Sequence, residues 1–430
     1  MNRKTLSNII FLIGVNVVIK PFWLFGVDRV VQNKLGEEVF GAYFVLFNFS
    51  MLYQIILDFG IQQFNSKEIA QNNQNLSVYF INLLTSKALL ALLYIGLAIP
   101  TFILLGYSWQ QFGDLILLLL INQVLISMIY YLRSNLAGLH KFKLDAFFSI
   151  LDKSIMIFLG ASILYFNFLR IELTIFNFAL IQTIAFSINA LVLLVVVGKI
   201  AFPFEKRINT DLIKRITRNS APFALSIFLM SIYLRMDAIM IERLLGSEGA
   251  YEAGIYAQSF RIIDALNMIG ILFANVLLPT YAKQLDDNAA ISKLIKQSLA
   301  LLFVIIVPIA ILVIWKSGVI IHLLYTNSSQ YSAQILSILM LSFLAYNTMH
   351  IFSSMLTAAG KLRQLNVIFL IGILFNLVTN LIFIPKWGAK GAAYTTSISE
   401  IFVLCLIAYY TVLFLTNGDF QKKNKKISIF

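Results

Sequence analysis

Long apolar runs separated by short polar breaks fill almost the whole chain. Crossing a bilayer takes about 20 mostly apolar residues, and runs of that kind fall at about 5–30, 38–61, 77–105, 113–134, 145–168, 173–198, 219–244, 252–281, 294–316, 331–357, 363–385 and 391–416. The pattern predicts about twelve membrane-spanning helices. Two polar stretches stand apart. The first, 199–218, carries Lys199, Lys206, Arg207, Lys214, Arg215 and Arg218, and the second is the tail 417–430 with Lys422, Lys423, Lys425 and Lys426. The boundaries that follow are an N-terminal six-helix lobe at 1–198, a basic linker at 199–218, a C-terminal six-helix lobe at 219–416 and a basic tail at 417–430.

Charge fixes the orientation. Lys and Arg next to spans are retained on the cytoplasmic side. Alternating from the central loop, the inner breaks collect Arg3, Lys4, Lys67, Arg133, Lys141, Lys143, Lys283, Lys293, Lys296, Lys361 and Arg363, while the outer ones are sparser. Both termini are therefore expected in the cytoplasm of an integral inner-membrane protein. The start, Met-Asn-Arg-Lys before an apolar run, reads as an uncleaved first helix, because Lys20-Pro21 stands where a cleavage site would be.

Composition agrees. The 430 residues are 60% hydrophobic and 12% charged, too little polar surface to cover a water-soluble globule. Topology accounts for most of the net charge of +13, so nucleic-acid binding is not supported. One cysteine, Cys405, and scattered histidines, His140, His322 and His350, offer neither a disulfide framework nor a metal site. No Gly-rich, Lys-containing phosphate loop occurs, and no cofactor is expected.

The halves echo each other. Leu35-Gly36-Glu37-Glu38 leading to Gly41-Ala42-Tyr43 opens the second segment, as Leu245-Gly246-Ser247-Glu248 leading to Ala253-Gly254-Ile255-Tyr256 opens the eighth. Leu136-Ala137-Gly138, then Lys141 and Lys143, closes the fourth, and Thr357-Ala358-Ala359-Gly360, then Lys361 and Arg363, closes the tenth. An even-numbered repeat keeps its orientation, so the halves are expected to enclose a site at their interface.

Charged residues inside apolar segments are costly, about 2.5–3.5 kcal/mol each at the bilayer centre, and usually line a cavity or pair. The cations are Lys20, Lys87, Lys153, Arg235 and Arg261. Together they would suit a pyrophosphate, which Arg binds bidentately and Lys as a point charge. The acids Asp58, Asp152, Asp237 and Asp264 are candidates for ion coupling or for charge pairing, and Arg261 with Asp264 shares one helical face.

Asp58-Phe59-Gly60 with Lys67-Glu68-Ile69-Ala70, Leu278-Pro279-Thr280-Tyr281-Ala282 and, above all, Asn380-Leu381-Ile382-Phe383-Ile384-Pro385-Lys386-Trp387-Gly388-Ala389-Lys390-Gly391-Ala392-Ala393 with Ser399-Glu400 resemble the Wzx-type polysaccharide flippases of the multidrug/oligosaccharidyl-lipid/polysaccharide exporter superfamily. The resemblance implies two six-helix lobes around a central cavity and no enzymatic step. It implies a polyprenyl-pyrophosphate-linked glycan carried by alternating access, and as partners membrane lipids, a glycan polymerase and glycosyltransferases. Two other classes stay open: a cation-coupled drug exporter of the same superfamily, which needs unpaired carboxylates, and a membrane glycan polymerase or glycosyltransferase, which needs catalytic groups on large outer loops.

Overall fold

The computed structural model describes residues 19, 21–73, 75–166, 171–203, 210–285, 287–327 and 329–416. Lys20, the middle of the basic linker at 204–209 and the basic tail at 417–430 lie outside the described residues, as do the side chains of Lys67, Lys214, Arg215, Arg218 and Lys283. The described residues are helical nearly throughout, without strands. This is the all-α polytopic architecture that the pattern predicts.

In chain order, a π-helical turn, Leu24–Asp28, runs into α1 (Arg29–Leu35) and α2 (Glu37–Leu52). A 3-10 turn, Gln54–Leu57, leads to α3 (Ile61–Gln71), α4 (Asn75–Leu104), α5 (Trp109–Gly138), α6 (Phe142–Ala161) and α7 (Ile175–Ala201). The second half holds α8 (Thr210–Leu245), α9 (Gly249–Leu266), α10 (Met268–Lys283), α11 (Asn288–Leu324), α12 (Gln330–Ala358) and α13 (Leu362–Thr416).

Among the described residues eight stretches are long and apolar enough to cross a membrane, two of them, Phe228–Ala282 and Leu362–Thr416, of 55 residues. At 1.5 Å per residue each of these two would be about 80 Å long if straight, far more than a hydrocarbon core of about 30 Å. Each is instead interrupted. Leu362–Thr416 reverses at Gly388, whose φ of 58° and ψ of −141° are outside the helical region, and Phe228–Ala282 breaks at Gly246–Glu248.

Two segments expected as single helices are broken. The second stops at Leu52 and resumes at Ile61, with Phe59 (φ 44°) and Gly60 (φ 76°) both left-handed, and the Asp58 carbonyl accepts from Ile61 N–H at 2.8 Å. The eighth divides at Asn267 into α9 and α10. The repeat expected from sequence appears at these same places. α5 closes with Lys141 N–H to Leu136 O (2.8 Å) and His140 N–H to Ala137 O (3.0 Å), and α12 closes with Lys361 N–H to Leu356 O (2.9 Å) and Gly360 N–H to Thr357 O (3.0 Å). His140 (φ 55°) thus stands where Gly360 (φ 70°) stands, which moves Gly138 out of the pairing read from sequence.

Contacts divide the chain into two compact units, Met1–Ser231 and Ile232–Phe430, with the division inside α8. The core of the first gathers Phe80, Leu83, Tyr131, Leu132, Phe148, Met156 and Leu193. In the second, α12 is central, carrying fully buried Leu336, Leu339, Phe343 and Met355.

Candidate functional site

In the first unit the break after α2 is held by one lysine. Lys87, 6% exposed on α4, donates to Leu57 O (2.7 Å), Asp58 Oδ1 (2.8 Å) and Ser127 Oγ (2.9 Å), which uses all three ammonium protons. Ser127 itself donates to Leu57 O at 2.9 Å. The second unit has a neutral counterpart at its own break: Asn347 Oδ1 accepts from Gly270 N–H (2.5 Å) while its amide donates to Asn267 Oδ1 (3.0 Å). Ser127 and Asn347 precede the matched helix ends, Leu136 and Leu356, by the same distance, so the repeat places its ties at equivalent positions.

Lys153 lies among aromatics and is less buried than Lys87. Its ammonium is 3.4 Å from Asp152, 4.9 Å from the Phe186 ring centre and 5.8 Å from that of Trp23, while the Asn189 amide approaches Asp152 at 3.5 Å. A polar cavity of about 510 Å³ opens in the same unit, lined by Gln62, Ser66, Tyr130, Ser134 and the ion pair of Arg133 with Asp145 at 2.6 Å. A smaller one, about 170 Å³, adjoins it through Gln62 and Tyr130 and reaches Asp58.

In the second unit, α8 and α9 carry Arg235, Phe260, Arg261 and Asp264. Arg235 is 3.9 Å from Asp264 and its guanidinium carbon 5.8 Å from the Phe260 ring centre. The ion pair that Asp264 makes is therefore with Arg235, across helices, whereas spacing alone pointed to Arg261. This contact is loose, and the Asp264 side chain is 56% exposed, against 5% for Lys87 in its tight pair. Arg261 is partly buried beside it.

Asp237 is enclosed. It is 2% exposed and accepts from Asn380 Nδ2 (2.7 Å), Thr396 Oγ1 (2.5 Å) and Tyr256 OH (3.4 Å), all neutral donors, so its charge is stabilised without an arginine. Among the described residues no three His, Cys, Asp or Glu side chains come together to hold a metal.

Contacts across helices explain the motif around Gly388. Glu252 of α9 accepts from Ala389 N–H (2.7 Å), and Tyr331 OH, which accepts from Lys390 N–H (3.2 Å), is placed to donate its one proton to either Glu252 Oε2 (2.8 Å) or Trp387 O (3.0 Å). A carboxylate from another helix thus caps the second arm of α13. Sequence reasoning missed Glu252, and it passed over Glu400 as a site residue. Glu400 had a visible signal, since the criterion that selected Asp237, an acid inside an apolar segment, applies equally at 400. Asn376 and Asn380 had none beyond the motif.

A bundle of long apolar helices in two repeated units, with acids and cations buried inside each, defines the class of multi-helical membrane transport folds. The chain belongs to the polysaccharide biosynthesis protein family, whose family model matches residues 5–285, and a MatE family model matches 222–382. It is similar to an uncharacterized membrane protein of Methanocaldococcus jannaschii, 22% identical over 85% of this chain and 75% of that protein. Among solved structures it resembles a Vibrio cholerae MATE transporter (TM-score 0.65, 15% identity, 97% of this chain and 99% of that one). It also resembles the lipid II flippase MurJ in an inward closed conformation (TM-score 0.67, 15% identity, 93% of this chain and 87% of that one).

Proposed function

We propose that this protein is a flippase that turns a polyprenyl-pyrophosphate-linked oligosaccharide from the cytoplasmic to the outer leaflet by alternating access. Lobes at 1–198 and 219–416 joined by the basic linker 199–218, with both termini in the cytoplasm, belong to the same reading. The observation that carries it is the state of the cations on α8 and α9. Arg235 is 3.9 Å from an exposed Asp264 and 5.8 Å from the Phe260 ring centre, and Arg261 follows Phe260 on α9. A guanidinium beside an exposed carboxylate and an aromatic ring can take phosphate oxygens, which fit its planar fork bidentately. Lys87, saturated by three acceptors, is a structural cation by the same criterion.

The test is export in cells that depend on this protein. Charge-assisted hydrogen bonds contribute about 1.5–3 kcal/mol each, so Arg261→Ala is expected to lower surface glycan by about 10- to 150-fold at normal protein abundance. The lipid-linked intermediate should accumulate, and Arg261→Lys should keep part of the activity. For Arg235, the single Ala variant should lose export and the Arg235→Ala/Asp264→Ala double variant should not regain it. Full rescue by the double change would make that pair structural and withdraw Arg235 from the site.

The MatE match over 222–382 favours a second reading, a cation-coupled exporter of small molecules. Such an exporter needs a carboxylate open to its cargo; Asp237 and Glu400 are each only 2% exposed, and the more exposed Asp58 and Asp264 are each paired with a cation. Efflux of a cationic dye that is insensitive to Arg261→Ala would support that reading over the first.

A further inference from the structure

Inside the second unit, the layer that holds Asp237 has a neighbour one helical turn away. Tyr233 is one turn before Asp237 on α8, Asn376 one turn before Asn380 on the first arm of α13, and Glu400 one turn after Thr396 on the second arm, which runs the opposite way. All three steps lead in the same direction. They place Tyr233, Asn376 and Glu400 in one layer, where the Ser342 hydroxyl of α12 hydrogen-bonds the Glu400 carboxyl. Asn380 Nδ2 bridges the layers by donating to Asn376 Oδ1 at 2.9 Å.

The two layers differ in how their polar atoms are met. Asp237 is surrounded by donors. In the second layer Tyr233 OH and Glu400 Oε2 are buried and have no hydrogen-bond partner among the described residues, and Thr395 Oγ1 and Ser399 Oγ beside them on α13 have none either. The exposures are 3% for Tyr233, 1% for Asn376 and 2% for Glu400. Native proteins leave few buried polar groups unmet, so a cluster of this kind needs a cause. An ionised carboxylate with an unserved oxygen at this depth costs several kcal/mol, and that cost disappears when the oxygen takes a proton and becomes a donor. The two acids are close enough to interact, so both cannot carry a charge cheaply, and the one with an oxygen that no donor meets is Glu400.

We propose that Glu400 is the proton-binding carboxylate of this protein, exchanging its proton with water during the transport cycle in electrostatic contact with Asp237. The groups that face it are Tyr233 and Asp237 from α8, Tyr256 from α9 and Tyr346 from α12. Tyr346 also senses Arg235 and Asp264, and His350 packs edge-on against it at 4.8 Å. The inference stands whether or not the cargo is a lipid-linked glycan.

The experiment uses the purified full chain in lipid nanodiscs and infrared difference spectra over about pH 5 to 9, reading the carbonyl stretch of protonated carboxylic acids. The wild type is expected to show such a band that disappears as pH rises, Glu400→Gln to lack it, and Asp237→Asn to lose it at lower pH, because the neighbouring anion that opposes ionisation is gone. Glu400→Gln keeps the side-chain shape, and its unfolding temperature shows whether it is folded. A band that survives Glu400→Gln, one that is constant across the range, or no band at all would each overturn the proposal. So would saturable binding of sodium that Asp237→Asn abolishes while no protonated Glu400 appears.

Discussion

Lys87→Ala is expected to destabilise the first unit by about 3–5 kcal/mol, the cost of leaving a buried charge without its partner. The ammonium satisfies the Asp58 carboxylate, the Leu57 carbonyl and the Ser127 hydroxyl at once, at the point where the second span is broken. Alanine leaves the first two with one donor fewer and opens space beside the 3-10 turn Gln54–Leu57. The Asp58 side chain is 25% exposed and borders a cavity, so water can take over part of its solvation and the loss should fall toward the lower end of that range. For a unit of this size 1 kcal/mol corresponds to about 2–4 °C, which makes the expected drop in unfolding temperature in detergent about 6–20 °C. Replacing both partners by apolar residues, Lys87→Met with Asp58→Leu, should recover most of it, since a pair removed together leaves no orphan charge. An unchanged unfolding temperature in Lys87→Ala would show that the three contacts are not what holds the break.

The second large effect is expected at Gly388 in the other unit. Gly388→Ala should lower stability by about 2–4 kcal/mol, combining backbone strain with disruption of the Glu252 and Tyr331 clamp. The backbone there is in a region that side chains rarely adopt, and an added Cβ would lie 2.6 Å from Glu252 Oε2 and 2.8 Å from Tyr331 OH. Gly246→Ala is the control. Its φ is also positive, at 59°, but nothing lies within 4 Å of the new methyl group, so it should pay the strain alone, about 1–2 kcal/mol. Thermal unfolding of the two variants separates the terms. Equal losses would mean that the clamp contributes nothing, and a Glu252→Gln variant as stable as wild type would say the same of its carboxylate.

The sequence by itself determined the helical class, the approximate spans and the presence of buried charges. These are one-dimensional properties: the length of an apolar run measures whether it can cross hydrocarbon, and a charge within it is costly wherever it points. The repeat was legible for a similar reason, because the turn chemistry that ends α5 and α12 is local, although its register was not, since a histidine can take the left-handed position that glycine takes in the other half. Partners were not legible. Spacing along one helix joined Arg261 to Asp264, but the ion pair Asp264 makes is with Arg235, and Asp237 finds Asn380 and Thr396 on strands of sequence far from its own. Nor could sequence tell which face of a span is inside. A helix that is apolar all round presents much the same surface to lipid as to protein, so no amphipathic stripe marks the side that packs. The tertiary structure alone decided that Lys87 is locked, that Arg235 meets Asp264 from another helix, and that Glu400 shares a buried polar core with Asp237.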